Sequence, residues 1–189
     1  GPAVSMDVMH TQSTMVRSAN VSPCGQYLWS FSRTWDGRPR LLVVMFNPPT
    51  ADHETDDPTI LQLCAIASHN GFGGIVVVHG IPLCSRYLGD AIEMTRHAIT
   101  GRKKDARMLQ QNLEVIAAEV RRSGAVLIAW GALARKCPEW FEQVLNTIRS
   151  SLPGCATLYC VEKTATGYPM HPMAKGSRSV PKTAALQIW

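Results

Sequence analysis

Long apolar runs are missing from this sequence. No stretch approaches the roughly 18 consecutive apolar residues that a membrane-crossing helix needs, and mean hydropathy is near zero. Charge is sparse as well, at 17% of residues. A membrane span is therefore excluded and a soluble protein expected. The start of the chain lacks the positive flank and apolar segment of a signal peptide. Residues 1–5, before Met6, read as the remnant of a cleaved expression tag, and residues 6–189 read as one domain. No Walker, GxGxxG, HExxH or GxSxG motif occurs, nor any internal repeat or low-complexity tract. The six cysteines, Cys24, Cys64, Cys84, Cys137, Cys155 and Cys160, form no CxxC pair. Reduced thiols in a cytoplasmic protein are expected rather than disulfides or zinc, with no metal and no cofactor.

Apolar residues are plentiful, at 46% of a 189-residue chain, enough to build one compact core. A net charge of +5 and a pI near 9.0 suit a polyanionic partner without demanding one.

Tyr27–Arg33 and Leu41–Phe46 read as an antiparallel hairpin turning through Asp36-Gly37. The second strand is apolar at nearly every position, as expected of a central strand covered on both faces. Asp57-Pro58 looks like an N-cap and first helical residue, followed by a stripe of Ile60, Leu63, Cys64 and Ala67 that should stop near Gly71. Ile75–Val78 is a second buried strand ending at His79. A loop, Pro82–Thr100, has room for one helical turn, and a helix from Lys103 to Ser123 carries Ala106, Leu109, Leu113, Ile116, Ala117 and Val120. Ala125–Trp130 is a third strand. A helical stretch after Gly131, broken near Pro138, continues through Phe141, Val144, Leu145 and Ile148. Ala156–Val161 is the fourth strand, and the tail is mostly loop with a short strand within Ala184–Trp189.

Strands alternating with amphipathic helices imply βαβ units. The expected fold is α/β: a three-layer α/β/α sandwich with a mostly parallel four-stranded central sheet plus the N-terminal hairpin.

Ligands of such sheets bind beyond the carboxyl ends of the strands. Asn47, His79, Trp130-Gly131 and Glu162-Lys163 should therefore converge on one cleft, with Pro48-Pro49 holding the chain extended as it leaves. Asp57 is expected to cap its helix. Asp52 and Asp56 can orient a water, bind a hydroxyl or simply fix the loop. His171, set between prolines in "GYPMHP", can donate to a developing anion or sit hydrogen-bonded in a rigid loop. Phe46 and Trp130 are either core or a wall for a flat base. Lys163, Lys175, Ser177, Arg178 and Lys182 either hold a phosphate backbone or make a solubilising surface.

The segments "CGQYLWSFSRTWD", "MFNPPTADHETDDPTI", "GFGGIVVVHGIPL", "LIAWGALA" and "GYPMHP" resemble, in that order, a bacterial and phage family catalogued as domain of unknown function 1643. The arrangement is also similar to the uracil-DNA glycosylase superfamily. That resemblance implies that Asn47-Pro48 positions a hydrolytic water, that His79 reads the base, that Trp130-Gly131-Ala132 matches a conserved "WG" strand end, and that His171-Pro172 stabilises the departing base. His79 stands where asparagine is usual, so uracil specificity is not implied, and Met173-Ala174-Lys175-Gly176-Ser177 replaces the usual wedge sequence. What it implies is a glycosylase-like domain acting on double-stranded DNA with a modified pyrimidine; the sequence leaves the oligomeric state open, with a monomer favoured. A hydroxymethylated or glucosylated base excised in defence against phage is favoured. Alternatives are a repair glycosylase, a hydrolase or transferase of free nucleosides, and a non-catalytic nucleic-acid-binding module.

Overall fold

The computed structural model describes residues 15–52, 54, 56–160 and 185–189. Its strands are β1 (Val16–Val21), β2 (Leu28–Thr34), β3 (Arg40–Met45), β4 (Gly74–His79), β5 (Ala125–Ile128), β6 (Thr157–Cys160) and β7 (Gln187–Ile188). The helices are α1 (Pro58–His69), α2 (Leu88–Ile99), α3 (Lys103–Arg121) and α4 (Pro138–Ser151), with a 3-10 helix at Gly131–Lys136. The sheet is seven-stranded and mixed, in the order β1-β2-β4-β3-β5-β6-β7. β4, β3, β5 and β6 run parallel to their neighbours, whereas β1, β2 and β7 are antiparallel additions at the two sides. No helix among the described residues is long and apolar enough to cross a membrane.

β3 shows why an unbroken apolar run makes a central strand. Successive side chains alternate faces, so Leu42, Val44 and Phe46 join one core with α2, α3 and α4, while Leu41, Val43 and Met45 join another beneath α1. Helices thus cover both faces. Asp57 caps α1 by accepting from the Ile60 amide at 2.9 Å, with Pro58 in the first turn, as its sequence predicts.

The expected hairpin of β2 with β3 does not form. β4 lies between them, antiparallel to β2 and parallel to β3. The glycines of "GFGG" make this insertion feasible. The Trp35 amide donates to the Gly73 carbonyl at 2.8 Å, and the Gly73 amide to Pro39 at 2.9 Å. A Cβ on Gly74 would stand 2.6 Å from the Arg33 carbonyl oxygen. The turn through Asp36 therefore wraps the start of β4 instead of closing a hairpin. β2's hairpin partner is β1, which hides from pattern reading because its side chains are mostly exposed and its sequence, VRSANV, is half polar.

The segment read as a loop with one turn contains a twelve-residue helix, α2. It has no side-chain cap, and its buried positions, Ala91, Ile92, Met94 and Thr95, include one small and one hydroxyl side chain. Its apolar stripe is therefore weak in sequence. The helix gains stability by packing against α3, to which it is joined through the Arg102 amide donating to His97 at 2.8 Å.

Candidate active site

A cavity of about 220 Å³ opens where β3 and β4 end, on the α1 side of the sheet. Its apolar wall includes Phe31, Met45, Phe46, Ile60 and Leu133, and its polar groups include Arg33, Asn47, Asp52, His79 and Arg86. Two of the four predicted strand ends thus meet here, those of Asn47 and His79.

Asn47 is held by its amide nitrogen. Nδ2 donates to the carbonyls of Pro48 at 3.2 Å, Leu83 at 3.2 Å and Ser85 at 3.0 Å. Three oxygens around one atom identify it as the nitrogen, since a carbonyl oxygen there would face only acceptors. The carboxamide oxygen has no hydrogen-bond partner among the described residues, and the half-buried side chain lines the cavity. The geometry follows from local sequence. β3 extends by one residue as Ile81 donates to the Phe46 carbonyl, the prolines carry the chain outward, and the Ser85 amide donates to Pro48 at 3.0 Å.

His79 ends β4 and is buried. Burial pushes its imidazole down to about 3, so it is neutral at physiological pH, with one donor and one acceptor nitrogen. Nδ1 has no hydrogen-bond partner among the described residues. The Phe31 ring lies 6.1 Å away, tilted by 33°. The His79 and Gly80 backbone is bolted in place from behind. The buried Asn112 Nδ2 donates to the His79 carbonyl at 2.7 Å, and Trp140 Nε1 donates to the Gly80 carbonyl at 2.8 Å. Gly80 lies so close to Phe141 that a Cβ would be 2.6 Å from Cζ.

The two acids separate. Asp52 lines the cavity, and its Oδ1 accepts from the Glu54 amide at 3.0 Å. Asp56 is tied into ion pairs, with Arg33 Nε at 2.7 Å and Arg17 Nη2 at 2.6 Å. Burial raises its carboxyl, but the hydrogen bonds from Arg17 and Arg33 together outweigh burial and hold it below the usual carboxylate range. Both Asp56 oxygens are engaged, so this carboxylate holds Arg33 in place and is poorly suited to moving a proton.

The two aromatic candidates separate too. Phe46 lines the cavity and stacks on Phe141 with centroids 5.2 Å apart. Trp130 is buried in the same core that Phe46 joins, edge-on to Phe141 at 5.1 Å and to Trp189 at 6.2 Å. It does not border the cavity and serves as packing. His171, Lys163, Lys175, Ser177, Arg178 and Lys182 lie outside the described residues. Burial pushes the thiols of Cys64, Cys84 and Cys137 up to about 11, which makes them inert packing groups at neutral pH. No three His, Cys, Asp or Glu side chains among the described residues are grouped to hold a metal ion.

Sequence reading missed Arg33, Ser85 and Arg86 as site residues. The signal for Arg33 was available: strand alternation places it on the face of Phe31, and a charge on a core-facing position must find a partner or a function. Ser85 and Arg86 carried no local signal, because only the tertiary path of the β4–α2 connection brings them to the cavity.

A family model described as protein of unknown function (DUF1643) matches residues 29–173. No curated protein and no solved structure matches the chain.

Proposed function

The chain belongs to the DUF1643 family of proteins of unknown function, and we propose from its site that it is a DNA glycosylase that hydrolyses the N-glycosidic bond of a modified pyrimidine. The observation that carries this reading is the cavity-lining Asn47 side chain, whose nitrogen is committed to three carbonyls and whose oxygen has no partner among the described residues.

In the hydrolysis, the bond from C1′ to the base nitrogen breaks and its electron pair leaves with the base. Water oxygen bonds to C1′, and a water proton is lost. The sugar passes through an oxocarbenium-like state. Asn47 Oδ1 accepts from the water and aims its oxygen, though an amide cannot take the proton itself. Asp52, on the same cavity wall, is the group to face the cationic sugar and receive that proton. His79, neutral and lining the cavity, is the group to read the polar edge of the base. Phe31 and Phe46 supply flat apolar surface beside it. His171 is assigned to the departing base by the sequence resemblance alone.

Size narrows the substrate. A cavity of roughly 150 Å³ holds one benzene ring, so about 220 Å³ accommodates a pyrimidine with a substituent the size of one or two waters. The cavity is open to solvent, so a larger substituent can extend out of it, and both a hydroxymethylated and a glucosylated base are compatible with this reading. Reaching the bond in a duplex requires extruding the nucleotide, at a cost of a few kcal/mol.

The test is to incubate the protein with duplexes containing uracil, hydroxymethylated, glucosylated or unmodified pyrimidines and to measure released bases and abasic sites by mass spectrometry. Release of one base is expected, lost in Asn47→Ala while duplex binding persists. Undiminished release by Asn47→Ala would overturn the mechanism, and no release from any duplex would overturn the function.

A further inference from the structure

Tyr87 is 78% exposed, the most exposed large hydrophobic among the described residues, and its neighbour Leu88 is 42% exposed. Its sequence neighbours on both sides, Arg86 and Leu88, line the cavity, so Tyr87 belongs to the segment that borders it. Nothing in the fold packs against most of it.

The turn that carries this ring is rigid. The Ser85 hydroxyl accepts from the Tyr87 amide at 3.0 Å and donates to Asp90 Oδ2 at 2.7 Å. The Asp90 amide donates to the Tyr87 carbonyl at 3.0 Å. The same Ser85 is tied to the site twice, its amide donating to Pro48 and its carbonyl accepting from Asn47 Nδ2 at 3.0 Å. Tyr87 thus stands two residues from a carbonyl that Asn47 grips, on a segment whose position is fixed relative to that side chain. An aromatic ring displayed on such a turn offers flat contact area with little entropy left to lose on binding. Arg86 beside it, exposed and cationic, is matched to a phosphate.

We propose that Tyr87 stacks on the DNA bases flanking the extruded nucleotide, occupying the gap it leaves, with Arg86 on the adjoining backbone. This rests on the glycosylase reading and deepens it, because it names the side chain that replaces the lost stacking. A base stacked on an aromatic ring is stabilised by about 1–3 kcal/mol, which at 1.4 kcal/mol per tenfold corresponds to roughly 5- to 150-fold in affinity.

The probe is a duplex with a tetrahydrofuran abasic analogue and 2-aminopurine as the base 3′ to it, which mimics the product whichever base is excised. Binding should change the 2-aminopurine fluorescence. Tyr87→Ala should weaken binding about 5- to 150-fold and lose the fluorescence change, whereas Tyr87→Phe should keep both. Because the ring is exposed, Tyr87→Ala should melt as the parent protein does. Equal affinity and an unaltered fluorescence change in Tyr87→Ala would overturn the stacking role, and the glycosylase reading would stand if the parent protein still releases a base. An abasic duplex that the parent protein does not bind, together with no base release, would overturn both.

Discussion

His79 should make this fold sensitive to mild acid. Burial pushes its imidazole down to about 3, while a histidine in an unfolded chain titrates near 6.5. Between those values the unfolded chain binds a proton that the folded one refuses. Stability is therefore complete above about pH 6.5 and falls as pH drops, by about 1.4 kcal/mol per unit. From pH 7 to pH 5 the loss is about 2 kcal/mol, since only the part below 6.5 counts. For a chain of this length each kcal/mol moves the melting temperature about 2–4 °C, so His79 alone should lower it by about 4–8 °C over that interval. Leucine has a comparable volume and no titrating group. The comparison is thermal or urea unfolding of the parent protein and His79→Leu at both pH values. Differencing the two proteins removes the other histidines, among them His97 beside Glu93 and Asp105. The parent should lose about 2 kcal/mol more than the variant. In parallel, the His79 ring resonance should stay constant from pH 8 to pH 5. Parallel pH profiles, or a resonance with a midpoint near 6.5, would refute the burial argument.

Asn47→Asp should be more harmful than Asn47→Ala, because a carboxylate oxygen would replace the nitrogen that faces three carbonyls. That repulsion raises the new aspartate's pKa in the folded state, so the loss grows as pH rises from about 4 and reaches about 3 kcal/mol at pH 8. Melting within a degree of the parent at pH 8 would contradict the assigned amide orientation. Asp56→Ala should cost about 3 kcal/mol through the loss of an ion-pair partner of Arg33, whose side chain is 1% exposed. Because Asp56 is held below the usual range, its contribution is complete above about pH 4 and is lost as pH falls through that lowered value, so the gap between the two proteins should narrow in acid. A constant gap between them down to pH 2 would show that the ion pairs are not its source.

Much of the architecture was legible because it rests on local patterns. The uninterrupted LLVVM run predicts a strand buried on both faces, and β3 is that strand. Asp57-Pro58 predicts the start of α1, and the stripe from Leu109 to Val120 predicts α3, whose buried Asn112 the apolar stripe cannot reveal. Pairing was less legible. A turn sequence at Asp36-Gly37 between two apolar segments reads as a hairpin, yet the absent side chains of Gly73 and Gly74 admit β4 between them. The site was half legible. Asn47 and His79 stand out as polar residues at the ends of buried strands, but Asp56 cannot be told from Asp52 without seeing that Arg17 and Arg33 claim it.

The sequence by itself determined the buried strands, most of the helices, the helix cap, and the polar residues at two strand ends, because burial periodicity and capping act within a few residues. Only the tertiary structure decided that the Asn47 nitrogen meets three carbonyls beside the cavity, that Trp130 packs in the core, and that Tyr87 is exposed on a segment that borders the cavity. Those outcomes depend on carbonyls, charges and rings from distant segments, whose positions are set by the order of strands in the sheet.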